Sequence, residues 1–283
     1  MSDALLQLYP LPTDRLPLTR LYLDHPLHRI ATSESGLVYS NFVTSLDGRI
    51  ALPRPGKTSH GVPPAISNAR DWRLYQELGA QADLLITSAR YYRQYARGEA
   101  QDQLPVGPGE KFADLRRWRL EQGLRAQPDV AIFSAGLEIP ADAVAAYAER
   151  RLHVLTGADA DPGRVAALRA AGIEVHVAGL GRSVEGARAI GLLQGLGYRH
   201  IYVIAGPSVL YTLLRDGALQ RLYLSFAHRL LGGEDFDTLT WGSELHLAPV
   251  ATLRSLFYDA HATEHSSQLL ACYDIQSPDP DAA

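Results

Sequence analysis

The chain of 283 residues has a single cysteine, Cys272. No internal disulfide and no cysteine-built metal cluster can therefore form, and the residue reads as a small apolar filler in the last strand. Long apolar runs are missing too. Nowhere do 18 apolar residues follow one another, and the start, "MSDALLQLYPLPTDRLPL", shows no basic segment leading into an apolar core. The expectation is a soluble, cytoplasmic protein without a membrane partner. Runs of lysine or arginine are also absent. With 27 basic residues against 31 acidic ones the net charge is −4, which gives no positive stripe for nucleic acid. What is abundant is apolar surface: 46% of residues are hydrophobic, enough for a sizeable core.

Residues 1–35 are rich in proline and polar residues and read as an N-terminal extension packed along the surface. From residue 36 to 275 short apolar runs such as "LVYSNFV", "ADLLIT", "DVAIFSA" and "HIYVIAG" alternate with helical patterns such as "NARDWRLYQELGAQ" and "PSVLYTLLRDG". That alternation predicts βαβ units and a largely parallel sheet. The segment "ATLRSLFYDAHATEHSSQLLACYDI" instead holds two extended runs around a polar turn, predicting antiparallel strands at one edge of a mixed sheet. Residues 276–283 are expected to be a disordered tail, and Arg93 to Lys111 a long polar loop over a site.

Three turns carry possible chemistry. In "NFVTSLDGRI" the strand-like run ends in Asp47-Gly48, first of all a turn signal, because glycine accepts positive φ and aspartate bonds the nearby backbone. In "HIYVIAGPSVL" a strand passes through Gly206 into a helix that starts at Pro207 and Ser208. This is either an ordinary strand-to-helix turn or an anion site made by first-turn N–H groups and the Ser208 hydroxyl. The third, "HVAGLGRSVEGARAIG", misses the G-x-G-x-x-G spacing and reads as a plain loop with Ser183 as helix cap.

"NFVTSLDGRIA", "ISNARDWRLYQELGAQADLLITSA" and "IAGPSVLYTLLRDGALQRLYLSFAHRLLGG" occur in this order and resemble successive motifs of the pyrimidine reductase domain of riboflavin biosynthesis, the RibD C-terminal family. The resemblance implies a dihydrofolate-reductase-like, three-layer αβα fold with a mixed, mostly parallel sheet and antiparallel C-terminal strands. It implies an NADPH-dependent reductase that passes a hydride to a small heterocyclic substrate. Thr44 and Ser45 would then face the nicotinamide half of the cofactor. Asn41 and Asp47 would lie near the substrate, with Asp47 as the proton route. Gly206, Pro207, Ser208, Val209 and Leu210 would form the pyrophosphate loop, Thr87 and Ser88 a second cofactor edge, and Arg49 a basic group near phosphate.

The sequence also departs from the family pattern. Ile204 stands where the family has a glutamate contacting substrate, its phosphate-binding arginine aligns with Gly79, and a threonine aligns with Tyr91. These departures point to a pyrimidine, pterin or related heterocycle other than the phosphorylated ribosylaminopyrimidine. The standard riboflavin substrate, with Arg90, Arg93 or Arg97 replacing the missing cation, is the alternative, and a non-catalytic nucleotide-binding module the second. His261 and His265 fall in strand and turn rather than on a helix, so no metal is expected. The tyrosines of "RYYRQYAR" either pack or stack a heterocycle. The apolar "RLYLSFAHRLL" with the C-terminal strands suits a homodimer interface.

Overall fold

The structure, a computed structural model, describes residues 4–24, 27, 36–100, 104–107, 109–145, 147 and 149–277. Its centre is a set of parallel strands: β3 (Leu37–Ser45), β6 (Leu84–Ser88), β7 (Asp129–Phe133), β8 (Leu152–Thr156), β9 (Glu174–Val177), β10 (His200–Val203) and β11 (Arg221–Ala227). Every residue of β7 is buried, as expected for a strand covered on both faces. Period-2 alternation sends Val38, Ile201 and Val203 to one face and Tyr39 and Tyr202 to the other.

Helices cover both faces. Leu74 and Leu78 of α1 (Ala69–Gln81), Ala143 of α4 (Ala141–Ala145) and Leu168 of α5 (Pro162–Ala170) pack on the Tyr39 and Tyr202 face. Ala189 and Leu193 of α6 (Gly186–Gly195) and Leu210 and Leu213 of α7 (Pro207–Arg215) pack on the other. Each leucine buried in this way contributes about 1.5–3 kcal/mol relative to exposure. Helix α2 (Ala89–Ala96) follows β6, and α3 (Ala113–Glu121) packs against α1. Among the described residues no helix is long and apolar enough to cross a membrane.

The eleven-stranded sheet runs β2-β1-β12-β13-β11-β3-β10-β6-β7-β8-β9, with β1 (Ala4–Tyr9), β2 (Asp14–Pro17), β12 (Val250–Thr263) and β13 (Ser266–Gln276) antiparallel to their neighbours. This is a three-layer αβα architecture with a mixed sheet, mostly parallel at its centre and antiparallel towards the β2 side, as the resemblance implies. The β12–β13 hairpin is not at the edge, because β1 pairs with β12 and β2 lies outside it. The N-terminal segment therefore enters the sheet and the core: Leu5, Leu18, Leu21, Tyr22 and Leu27 are buried. It is tied to α1 by Glu77, which accepts the Arg20 and Tyr22 amides at 2.7 and 3.1 Å, and by Gln81, which accepts the Leu27 amide at 2.7 Å.

Further differences are local. Residues 93–96 of the expected polar loop belong to α2, and residues 101–103 and 108 lie outside the described residues. The expected tail begins inside β13 with Gln276, and residues 278–283 lie outside the described residues. Glu185, not Ser183, precedes α6. A Cβ on Gly179 would meet Ser183 O at 2.0 Å, and one on Gly157 would meet Gly181 O at 1.9 Å. The glycine-rich turn thus answers close packing of two loops.

Candidate active site

Strand β3 leads to α1 on one face of the sheet, whereas its neighbour β10 leads to α7 on the other. Chains that diverge in this way leave a crevice at the carboxyl ends of the strands, where ligands bind in open α/β sheets. A cleft of about 740 Å³ lies there. Its floor is Asn41, Phe42 and Val43 of β3 and Thr87 and Ser88 of β6. One wall is Asn68, Asp71, Trp72 and Tyr75 from the start of α1, and another is Ile204, Ala205, Gly206 and Pro207 leading into α7. Arg90, Tyr91 and His60 also line it.

Asp71 is the least expected of these groups. Asn68 caps α1 by accepting the Arg70 and Asp71 amides at 3.1 and 2.8 Å, which places Asp71 in the first turn. A helix N-terminus favours a carboxylate, yet burial outweighs it. Asp71 is 9% exposed and the Asp259 carboxylate is near, so its pKa rises to about 6, although Ser225 donates its hydroxyl at 2.5 Å. Asp259 is itself committed to Arg70 at 2.8 Å and to the Gln268 amide at 3.1 Å. Beside Asp71, Trp72 and Tyr75 stack with centroids 4.7 Å apart and form an aromatic wall.

Asp47 sits elsewhere. It does not line the cleft, and its oxygens accept the Ser45 hydroxyl at 2.5 Å and the Gly232 and Leu231 amides at 2.7 and 3.1 Å. These donors, the Ser45 hydroxyl first, lower its pKa to about 2. An ionised, fully engaged carboxylate fastens the turn to residues 231–232 and has no proton to give at neutral pH. The geometry thus assigns Asp47 a pinning role and brings Asp71, not Asp47, to the cleft. Arg49 joins the same turn: its guanidinium pairs with Asp47 at 3.5 Å, bonds Gly232 O at 3.2 Å and lies over the Phe236 ring at 4.3 Å.

The other expected residues divide. Asn41, Ile204, Thr87, Ser88, Gly206 and Pro207 come together in the cleft, and Asn41 accepts the Tyr202 hydroxyl. Thr44 and Ser45 are buried beyond the stretch of β3 that lines it. Ser208 is exposed on the first turn of α7, Val209 is half-buried, and Leu210 is in the core. Gly206 has φ −76°, and a Cβ there meets no atom within 4 Å. Among the described residues neither strain nor packing asks for glycine.

The profile of the RibD C-terminal domain matches residues 37–256. The chain belongs to the RibD C-terminal domain family. No curated protein sequence matches it. Solved structures of similar fold include a pyrimidine reductase-like protein from Corynebacterium diphtheriae, at 18% identity and TM-score 0.66 over 92% of this chain and 99% of that one. Riboflavin biosynthesis reductase Rib7 from Saccharomyces cerevisiae is similar at 11% identity and TM-score 0.55, over 91% and 99% of the two chains. RibD from Acinetobacter baumannii is similar at 15% identity and TM-score 0.58; the match covers 90% of this chain and 62% of that longer protein. A pyrimidine-reductase-like oxidoreductase of riboflavin biosynthesis is the family's character.

Within this RibD C-terminal domain the aligned departures have different weights. Ile204 and Tyr91 line the cleft. Gly79 does not, and a Cβ there would meet Pro105 Cβ at 2.4 Å, so buried packing requires the glycine. The alignment of Gly79 with a phosphate-binding arginine therefore carries no information about substrate. Asp71 was legible only as an acidic residue in a helical first turn; its burial depends on Ser225, 154 residues away.

Proposed function

We propose that the protein is an NADPH-dependent reductase that passes a hydride to a pyrimidine, pterin or related heterocycle, with Asp71 as the group that orients and protonates it. The observation that carries this reading is a buried carboxyl of pKa about 6 in the cleft, beside an aromatic wall. A carboxyl of this kind is half-protonated at about pH 6 and keeps roughly a tenth of its acid form at pH 7, far more than an ordinary aspartate, which suits general-acid work. Its two oxygens match the paired donors of an aminopyrimidine edge, while Trp72 and Tyr75 offer ring faces to the heterocycle.

The residues at the start of α7 suit a dinucleotide. Gly206 caps the helix without any side-chain bond, and its bare Cα leaves the approach to the first-turn amides open, which is the arrangement that binds phosphate. Gly206, Pro207 and Ser208 would hold the pyrophosphate, with Thr87 and Ser88 on the facing strand. NADPH, when bound, supplies the two electrons and one hydrogen as hydride to a C=N or C=O carbon. Asp71 supplies the proton to the adjoining nitrogen or oxygen, so the substrate gains two hydrogens and Asp71 recovers its proton from solvent. Asn41, held by Tyr202, fixes the polar edge of the ring.

A second reading, reduction of the phosphorylated ribosylaminopyrimidine, rests on Arg90. Of the three cations proposed to replace a phosphate ligand, Arg93 bonds Glu138 O at 3.2 Å and Arg97 pairs with Glu99 at 3.3 Å, while Arg90 lines the cleft.

The test is titration with NADPH and NADH, followed by Trp72 fluorescence, and then turnover on a panel of phosphorylated and unphosphorylated heterocycles. Saturable NADPH binding that Gly206→Ala weakens, with no loss of thermal stability, supports the cofactor site. A substrate dependence that Arg90→Ala changes only for phosphorylated compounds favours the second reading. Absence of nucleotide binding overturns both.

A further inference from the structure

At the opposite border of the sheet, three side chains converge that the reductase reading does not use. In the parallel pairing of β8 and β9, His153 is opposite Glu174, and Leu155 is opposite His176. Residues 174 and 176 of β9 thus point to one face, and His153 points to the same face. His153 Nδ1 lies 3.1 Å from Glu174 Oε2 and 3.2 Å from His176 Nε2, and His176 Nε2 lies 3.4 Å from Glu174 Oε2. A metal ion with tetrahedral ligands at 2.0–2.1 Å has ligand atoms about 3.3 Å apart. The three atoms therefore already form one face of such a tetrahedron.

A second observation fixes which atom of His153 faces the cluster. The Tyr198 hydroxyl gives its proton to Asp129 Oδ2 at 2.9 Å, so its oxygen accepts from His153 Nε2 at 2.8 Å. Nε2 then carries the ring proton, and Nδ1 turns a lone pair towards His176 and Glu174. Ligating histidines are oriented in this manner, with the distal N–H held by an outer hydrogen bond. Asp129 is in turn held by Arg125 and by the Arg151 amide at 3.0 Å.

We propose that His153, Glu174 and His176 bind one divalent transition-metal ion of the zinc class, with a fourth position open to water. Two imidazoles and one carboxylate are a donor set suited to zinc, cobalt or nickel rather than to calcium or magnesium. The ion would join the last strand of the sheet, β9, to β8, at the amino end of β8 and three strands beyond β6 of the cleft. It would thereby brace an edge strand of four residues that has a neighbouring strand, β8, on one side alone among the described residues. The expectation that the chain holds no metal considers His261 and His265; it overlooks "RLHVLT" and "IEVHVAG", whose ligands meet only through strand pairing.

The site is tested on tag-free protein stripped with a chelator. Cobalt chloride is titrated by visible absorption and zinc chloride by calorimetry, and the melting temperature is read with and without zinc. The expected result is one equivalent per chain, a tetrahedral cobalt spectrum, and a zinc-dependent rise in melting temperature. His176→Ala, at a half-buried position, abolishes all three, whereas Tyr198→Phe keeps the ligands and weakens zinc binding roughly 10- to 100-fold. The paired variant His261→Ala/His265→Ala changes nothing. The proposal is overturned if no equivalent binds, or if binding survives both His176→Ala and Glu174→Gln. NADPH affinity is expected to be independent of zinc, so the result stands apart from the reductase reading.

Discussion

Asp47 and Asp71 show how two carboxylates of one chain acquire opposite properties. Asp47 lies in an Asp-Gly turn at the end of β3 and receives one hydroxyl and two amide donors, so its pKa falls to about 2. Asp71 lies in an unremarked first helical turn with one hydroxyl donor and no cation paired to it among the described contacts, and burial raises it to about 6. Donor number and solvent access, not the surrounding motif, set which group can hold a proton at neutral pH. The motif marks where the chain turns; the burial of Asp71 beside Ser225 of β11 and near Asp259 of β12 makes the acid.

The sharpest way to break this comparison is to neutralise each carboxyl in turn. Asp71→Asn is expected to lower kcat about 10²- to 10⁴-fold, the range of lost general acid catalysis, with NADPH affinity unchanged. Steady-state kinetics on a turned-over heterocycle reads this. In the wild type, kcat falls as pH rises through about 6, because the protonated form is the active one, and Asp71→Asn removes that limb. Equal losses in Asp47→Asn and Asp71→Asn would erase the distinction.

Stability should separate the two groups by sign. Asp71 has a native pKa near 6, above its unfolded value. The native state therefore binds more protons between about pH 4 and 6, and stability falls as pH rises through that window. The two-unit shift corresponds to about 3 kcal/mol, lost fully above pH 6 and removed by Asp71→Asn. Asp83, also raised to about 6 by burial, leaves a similar limb in that variant. Asp47 behaves in the opposite sense: its contribution is complete above about pH 4 and disappears as pH falls through about 2. Denaturant melts across this range, for the wild type and both variants, check the signs.

A smaller effect is expected from Asp47→Ala. It frees the Leu231 and Gly232 amides and loosens the Arg49 stack on Phe236. Faster proteolysis near residues 229–233 and a modest rise in KM should follow, with kcat closer to wild type than in Asp71→Asn.

The alternation of apolar runs and helical patterns made the parallel sheet legible, and Gly206-Pro207 marked the start of α7, because both signals are local. What escaped was non-local. β1 and β2 were hidden because prolines and polar residues obscure them, and because β2 pairs with β1, whose own partner in the sheet, β12, is about 250 residues away. Gly79 looked like a lost arginine, whereas its role is set by Pro105 across a packed interface. The family resemblance set Thr44 and Ser45 against the nicotinamide half of the cofactor, whereas the cleft follows β3 only as far as Val43. The acid escaped for the same reason as the edge strands: nothing within ten residues of Asp71 reveals Ser225 or Asp259.

Asn68 joins the local and non-local levels, and its substitution is the finest of these tests. Its side-chain oxygen caps α1 through the Arg70 and Asp71 amides, and its amide donates to Gln268 at 2.9 Å, which in turn holds Asp259. Asn68→Ala removes the cap, at a cost of about 1 kcal/mol, or a fall in melting temperature of about 2–4 °C for a chain of this size. Asn68→Asp retains the cap but adds a further carboxylate, besides Asp259, near Asp71, so the kcat limb should move to higher pH. If Asp71 acts only as a packing residue, the two variants differ in melting temperature but share one pH profile. If it is the acid, the profile separates them even where stability does not.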